Sequence, residues 1–298
     1  MAMKKIIAGI IALLSVCTGA AVYLERKYLR TDRQKFSSGV TEENINWINS
    51  TPHKDEYMIT RDGYCMHGLV FDNNSDNWIV AVHGYDSESR GMVRYAKKFL
   101  EAGYSVFMPD LRGMGNSDDN STTMGHLEKL DIIDWIRKLN AEYEPKNIVL
   151  FGVSMGAATV MLASGENLPE NVRATIEDCG YSSVREEFEY NMLHLIHLPP
   201  YPVLWICDVI TRLNKGWSFL NDADCIKAVK RSRIPICFIH GANDTFVPFA
   251  MQEKLYSACR HKDKEILVID GAEHTEACVK EPELYWNTVF SFIEKHII

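Results

Sequence analysis

The sequence predicts an α/β fold: a mostly parallel sheet flanked by helices, with a small helical cap inserted late in the chain. Three observations carry that expectation. Short apolar runs alternate with helical stretches, the pattern of parallel βαβ units. Several of the runs stop on loop residues with chemistry in them, among them His83-Gly84, Pro109-Asp110 and Gly152. The alternation then breaks between Phe188 and Leu220, where apolar residues surround three prolines. The composition, 46% apolar and 24% charged over 298 residues, is that of a globular chain with a large core.

The elements follow in order. Ile6–Leu24 is an uncharged run of 19 residues, about 28 Å as a helix and enough for a hydrocarbon core. Lys4 and Lys5 precede it and a basic cluster follows. An uncleaved membrane anchor fits this best. A signal peptide cleaved near Gly19, Ala20 and Ala21 is the alternative, and a core helix fits least because the run is apolar all round. The chain is therefore divided into a membrane segment with its basic flank, residues 1–35, and a globular domain, residues 36–298. The Lys and Arg residues after the run argue for a cytoplasmic domain. The short basic head resembles an export signal, and the expectation taken is an anchored, extracytoplasmic domain, with cleavage and secretion as the alternative.

Tyr57–Thr60 and Tyr64–Phe71 flank Asp62-Gly63 and read as a hairpin. Trp78–Val82 and Tyr104–Met108 read as strands on either side of a helix near Met92–Glu101. Leu127, Leu130, Ile133 and Ile136 recur at helical spacing. Asn147–Phe151 is a strand and Ala157–Ala163 a helix suited to packing on a sheet. Ala174–Ile176, Ile234–Ile239 and Ile266–Ile269 complete the strands, and Tyr285, Val289, Phe292, Ile293 and His296 share one face of a last helix. The cap, about 185–220, reads as two short helices broken at Pro199-Pro200 and Pro202. Val203, Ile206, Ile210 and Leu213 are its expected apolar face.

Charge narrows the function. Residues 1–35 hold seven basic and two acidic side chains, +5, so the remainder carries −13 of the chain's net −8. A body that acidic lacks the footprint needed for phosphate backbones, and nucleic acid is not expected as a partner. The eight cysteines show no CxxC pair and no metal spacing. Several sit in apolar runs and read as small core residues, a hint of a reducing environment.

The chemistry gathers at strand ends. Gly152-Val153-Ser154-Met155-Gly156 lies between a strand and a helix, so a tight turn lifts the Ser154 hydroxyl clear of the sheet beside a helix N-terminus. Serine needs a base. Among ten histidines, His274 follows the last strand and opens on the same sheet edge. Asp244, after Ile234–Ile239, is the expected acid that orients it, with Asp178, one strand earlier, as runner-up. Met155 and Tyr85, the latter freed by Gly84 to approach closely, are the expected oxyanion donors. His83 reads as a loop brace, His240 as a support of the acid's loop, and His194 and His197 as cap packing or substrate contacts.

Together these motifs resemble the α/β-hydrolase superfamily. HGY, GVSMGA, GANDTFVP and GAEH occur in the expected order between Tyr57 and the C-terminus. The segment Asp110–Asp118 is similar to the superfamily's D-x-R-G-x-G-x-S turn, which implies a structural Asp110. The likeness is to bacterial membrane-anchored serine hydrolases of the esterase and acyl-peptidase-like branch. HGYDSESRGMVRYAKKFLEAGY also resembles the monoacylglycerol-lipase and serine-aminopeptidase branch, where GHSMGG is usual in place of GVSMGA. The resemblance implies hydrolysis of esters, thioesters or amides without metal or cofactor. The expected function is a serine esterase acting on a small-molecule acyl substrate through an acyl-enzyme. A serine peptidase, a monoacylglycerol-lipase-like enzyme and a non-catalytic binding protein are the alternatives.

Overall fold

The computed structural model describes residues 2–31 and 39–297. Eight strands form one sheet in the order β1-β2-β4-β3-β5-β6-β7-β8. They are β1 (Lys54–Ile59), β2 (Cys65–Phe71), β3 (Asn77–Val82), β4 (Ser105–Pro109), β5 (Asn147–Val153), β6 (Val172–Asp178), β7 (Ile236–Gly241) and β8 (Lys264–Ile269). β1 and β2 pair antiparallel around the Asp62-Gly63 turn, where Gly63 takes the left-handed φ of +90° that the turn demands. β2 also meets β4 antiparallel, and every pair from β4 through β3 to β8 is parallel. The central strands are buried on both faces, as their unbroken apolar runs require.

Alternation along β5 supplies both layers. Ile148 and Leu150 face one core, with α4 (Glu128–Glu142), α5 (Met155–Ser164) and α8 (Cys225–Arg231). Val149, Phe151 and Val153 face the other, with α3 (Val93–Glu101) and α11 (Pro282–His296). Four helices were not expected: α2 (Glu42–Ser50), α8, α9 (Phe249–Ala258) and α10 (Ala277–Lys280). Two of them start on side-chain caps, Thr41 accepting from the Asn44 N–H and Asp224 from the Lys227 N–H.

The cap is α6 (Val184–His194) and α7 (Val203–Lys215), separated by the proline segment. Its packing corrects one expectation. The buried residues of α7 are Val203, Leu204, Cys207 and Thr211, and Ile206 and Ile210 pack half-buried beside them as expected, whereas Leu213 is 80% exposed. The helix is turned because its partner is the N-terminal helix. α1 (Ala2–Leu24) is long and apolar enough to cross a membrane, and its last turns bury Cys17, Ala21 and Leu24 beside α7. The Cys207 thiol donates to the Ala21 carbonyl at 3.5 Å. A π-helical turn, Glu25–Leu29, follows, and Leu29 and Thr31 are then tied to the 120–122 loop by Thr122 N–H to Leu29 O and Thr31 N–H to Asn120 O, each 2.8 Å. Cys17, Ala21, Leu24 and Leu29 thus share a core with the sheet and its helices. The expected boundary at 35/36 lies outside the described residues.

Candidate active site

β5 delivers Ser154 at its C-terminal end. The residue sits at φ 56°, ψ −118°, a conformation most side chains avoid. The turn closes only because its neighbours are glycines. A Cβ at Gly152 would lie 2.3 Å from the Gly156 carbonyl oxygen, and one at Gly156 would lie 2.1 Å from that of Val82. The serine N–H donates to the Asp178 carbonyl at 2.8 Å, which ties the elbow to β6.

The loops after β7 and β8 complete the arrangement. His274 Nε2 lies 2.9 Å from Ser154 Oγ, and its Nδ1 lies 2.6 Å from Asp244 Oδ2. The other carboxylate oxygen of Asp244 accepts the N–H groups of Phe246 and Val247, each at 2.9 Å. Burial opposes ionisation of Asp244, but hydrogen bonds from His240 and His274 outweigh it and hold the carboxyl at about 2. His240 is fully buried, with Nε2 2.8 Å from the Val247 carbonyl, and so braces this loop.

Asp178 is brought near but not into the line. Its Oδ2 accepts the Tyr285 hydroxyl at 2.8 Å, and burial pushes its carboxyl up to about 6. His83 is a brace: Leu111 N–H donates to its Nε2 at 2.9 Å, Nδ1 meets the Gly84 carbonyl at 2.7 Å, and burial lowers its pKa. Asp110 accepts from Ser89 N–H, Asn116 N–H and His67 Nδ1, which makes it a loop organiser. His194 and His197 are exposed on the cap.

Tyr85 and Met155 line the pocket above Ser154. A Cβ at Gly84 would stand 3.8 Å from Ser154 Oγ, so the backbone leading to Tyr85 passes close to that hydroxyl. Other pocket residues carry no local signal in the sequence. Leu24 and Tyr28, from the N-terminal segment, form one wall, and Leu195, Ile196 and Phe246 border it. Glu187 and Asn191 of α6 also line it. Asn191 Nδ2 donates to Glu187 Oε1 at 2.7 Å, while Glu187 Oε2 has no partner among the described residues. Burial raises the Glu187 carboxyl to about 8, with the Asp244 charge adding to the effect. Beside this line of groups, the Cys179 thiol lies within 4.8 Å of Asp244 and His274 ligand atoms. Burial and the nearby Asp178 charge push its pKa well up, so it is a neutral thiol and not a metal-ready thiolate. An acid, an imidazole and a hydroxyl in one hydrogen-bonded line, at the foot of an apolar pocket, can transfer an acyl group.

The profile of the serine aminopeptidase S33 family matches residues 73–197 and 207–282. The chain belongs to that family. Its fold is that of the α/β-hydrolases. The Pyrococcus furiosus esterase Pf2001 superposes with a TM-score of 0.73 at 23% identity, over 91% of this chain and 99% of that one. The uncharacterized protein YqkD of Bacillus subtilis is 25% identical over 98% of both chains. The lysophosphatidylserine lipase ABHD12 of Macaca fascicularis is 29% identical over 60% of this chain and 44% of its own. As a member of the S33 family the chain is a hydrolase.

Proposed function

We propose that this hydrolase is a serine esterase that cleaves carboxylic esters with an apolar acyl group. The continuous hydrogen-bond line from Asp244 through His274 to Ser154, opening into an apolar pocket, carries the reading. Ser154 Oγ attacks the ester carbonyl while His274 Nε2 takes its proton. Asp244 keeps the Nδ1 proton in place and stabilises the imidazolium. The N–H groups of Met155 and Tyr85 hold the oxyanion. Collapse of the tetrahedral intermediate returns the proton to the departing alcohol and leaves an acyl-serine. Water, deprotonated by His274, then releases the acid.

The lining favours an acyl chain over a polar side chain, and the lysophosphatidylserine lipase among its relatives points the same way. Peptidase activity, which the family description names, is the competing reading. The catalytic domain, residues 36–298, is held at a membrane by α1 and faces away from the cytoplasm, a side that the short basic head supports. Protease protection in intact cells checks the side. The activity is tested with p-nitrophenyl butyrate, a thioester and an aminoacyl amide against wild type and Ser154→Ala. Ester cleavage lost in the variant is expected. Retained cleavage, or cleavage of the amide alone, refutes the proposal.

A further inference from the structure

The N-terminal helix does two things at once. Its free, uncharged part, Ile6–Val16, is 11 residues, or about 16 Å of helix, roughly half of a hydrocarbon core of ~30 Å. The missing length lies in Cys17–Leu24, another ~12 Å. Those turns are not free. Cys17, Ala21 and Leu24 are buried on the side facing α7, while Thr18, Gly19 and Tyr23 on the other side are exposed. If α1 spans a bilayer, the stretch of α7 packed on it stands at hydrocarbon depth.

The outer face of α7 carries an apolar stripe suited to that depth, with Arg212 and Asn214 exposed beside it. Trp205, Val209 and Leu213 recur every four residues as one stripe, 59%, 54% and 80% exposed. The cap also exposes Leu195 and Ile196 after α6, and these border the pocket. Phe246 closes the rim, half-exposed with its ring 5.1 Å from that of His274. Leu24 at the end of α1 and Tyr28 in the π-helical turn after it line the pocket. At the same level Arg26 and Lys27 are exposed, where basic groups meet anionic headgroups, and Lys27 lies over the Tyr23 ring.

We propose that the cap sits in the bilayer, seated by the Trp205-Val209-Leu213 stripe beside α1, and that the pocket takes a single-chain acyl ester directly from the leaflet. The substrate half of this statement rests on the esterase reading; the docking half does not. The anchor is then part of the enzyme: removing residues up to Leu24 opens the pocket wall as well as freeing the protein from the membrane.

The test uses the full-length chain in phosphatidylcholine vesicles whose acyl chains carry bromine. The expected result is that wild type loses a larger fraction of its tryptophan emission than Trp205→Phe, because Trp205 contacts the quenching chains. Equal fractional loss overturns docking, including the case in which a second copy of the chain covers the stripe. In the same vesicles, Val209→Asp with Leu213→Asp is expected to lower hydrolysis of embedded monooleoylglycerol at least tenfold relative to wild type. Hydrolysis of soluble p-nitrophenyl butyrate is expected to stay within twofold. Equal effects on both substrates, or none on either, overturn delivery from the leaflet. A wild type that cleaves neither ester refutes the esterase reading, and the quenching result still decides docking.

Discussion

Replacing Asp244 by asparagine separates charge and tautomer from shape. Asp244 Oδ1 accepts two backbone N–H groups, from Phe246 and Val247. The amide introduced by Asp244→Asn must therefore keep its oxygen on that side, since turning the NH2 group there would set it against two donors. The NH2 group then faces His274 Nδ1, which sits 2.6 Å from the wild-type oxygen. Nδ1 can meet it only as an acceptor, so the ring proton moves to Nε2. There it donates to Ser154 Oγ and no longer accepts its proton. A base locked in the wrong tautomer costs on the order of 10⁴ in kcat, about 5.5 kcal/mol of transition-state stabilisation. Steady-state hydrolysis of p-nitrophenyl butyrate by Asp244→Asn, with circular dichroism to show that the fold is kept, measures it. The paired control is Asp178→Asn, which disturbs the Tyr285 hydrogen bond and is expected to lower stability by ~1 kcal/mol with less than a tenfold fall in kcat. A loss below tenfold for Asp244→Asn, or a larger loss for Asp178→Asn, would show that Asp244 does not orient His274.

Further outcomes follow from the same geometry. Gly156→Ala sets a methyl group 2.1 Å from the Val82 carbonyl oxygen, backbone that cannot swing aside, and is expected to cost about 3 kcal/mol or more, read as lost soluble yield and a lowered melting temperature. Glu187, raised to about 8 in the fold against an ordinary 4.5, holds its proton across that window while the unfolded chain releases it. Stability therefore falls as pH rises from about 4.5 to 8, by at most ~1.4 kcal/mol per pH unit, and urea unfolding at several pH values is expected to show a shallower fall for Glu187→Gln. Ala21→Leu inserts bulk where α1 meets α7 with no exposed surface, and is expected to destabilise by ~1–3 kcal/mol in a thermal melt of the full-length chain. An unchanged melting temperature would argue against the packed contact.

The strands are legible because central strands of a parallel sheet must be apolar on both faces, and the runs that begin near Trp78 and Asn147 say so without help from their surroundings. Their ends are less so. Pro235 interrupts the run that begins at Ile234, and β7 starts one residue later, at Ile236. The candidate triad can be named because each member follows a strand whose place in the sheet the alternation implies. α9 is hidden because Gln252, Glu253 and Lys254 interrupt its apolar positions. The face of α7 is legible at Val203, Ile206 and Ile210, which pack on the core, and misleading at Leu213, because the contact with α1 runs instead through Leu204, Cys207 and Thr211. Nothing local reveals that Leu24 and Ser154 share a pocket, since that contact depends on where α1 docks.

Whether Ser154 is an activated nucleophile is decided by adding a fluorophosphonate probe to the full-length chain and locating the adduct by peptide mass spectrometry. One adduct is expected, on the peptide carrying Ser154, absent in Ser154→Ala and strongly slowed in Asp244→Asn. No adduct on wild type, or an adduct that persists when Ser154 is alanine, would contradict an activated Ser154.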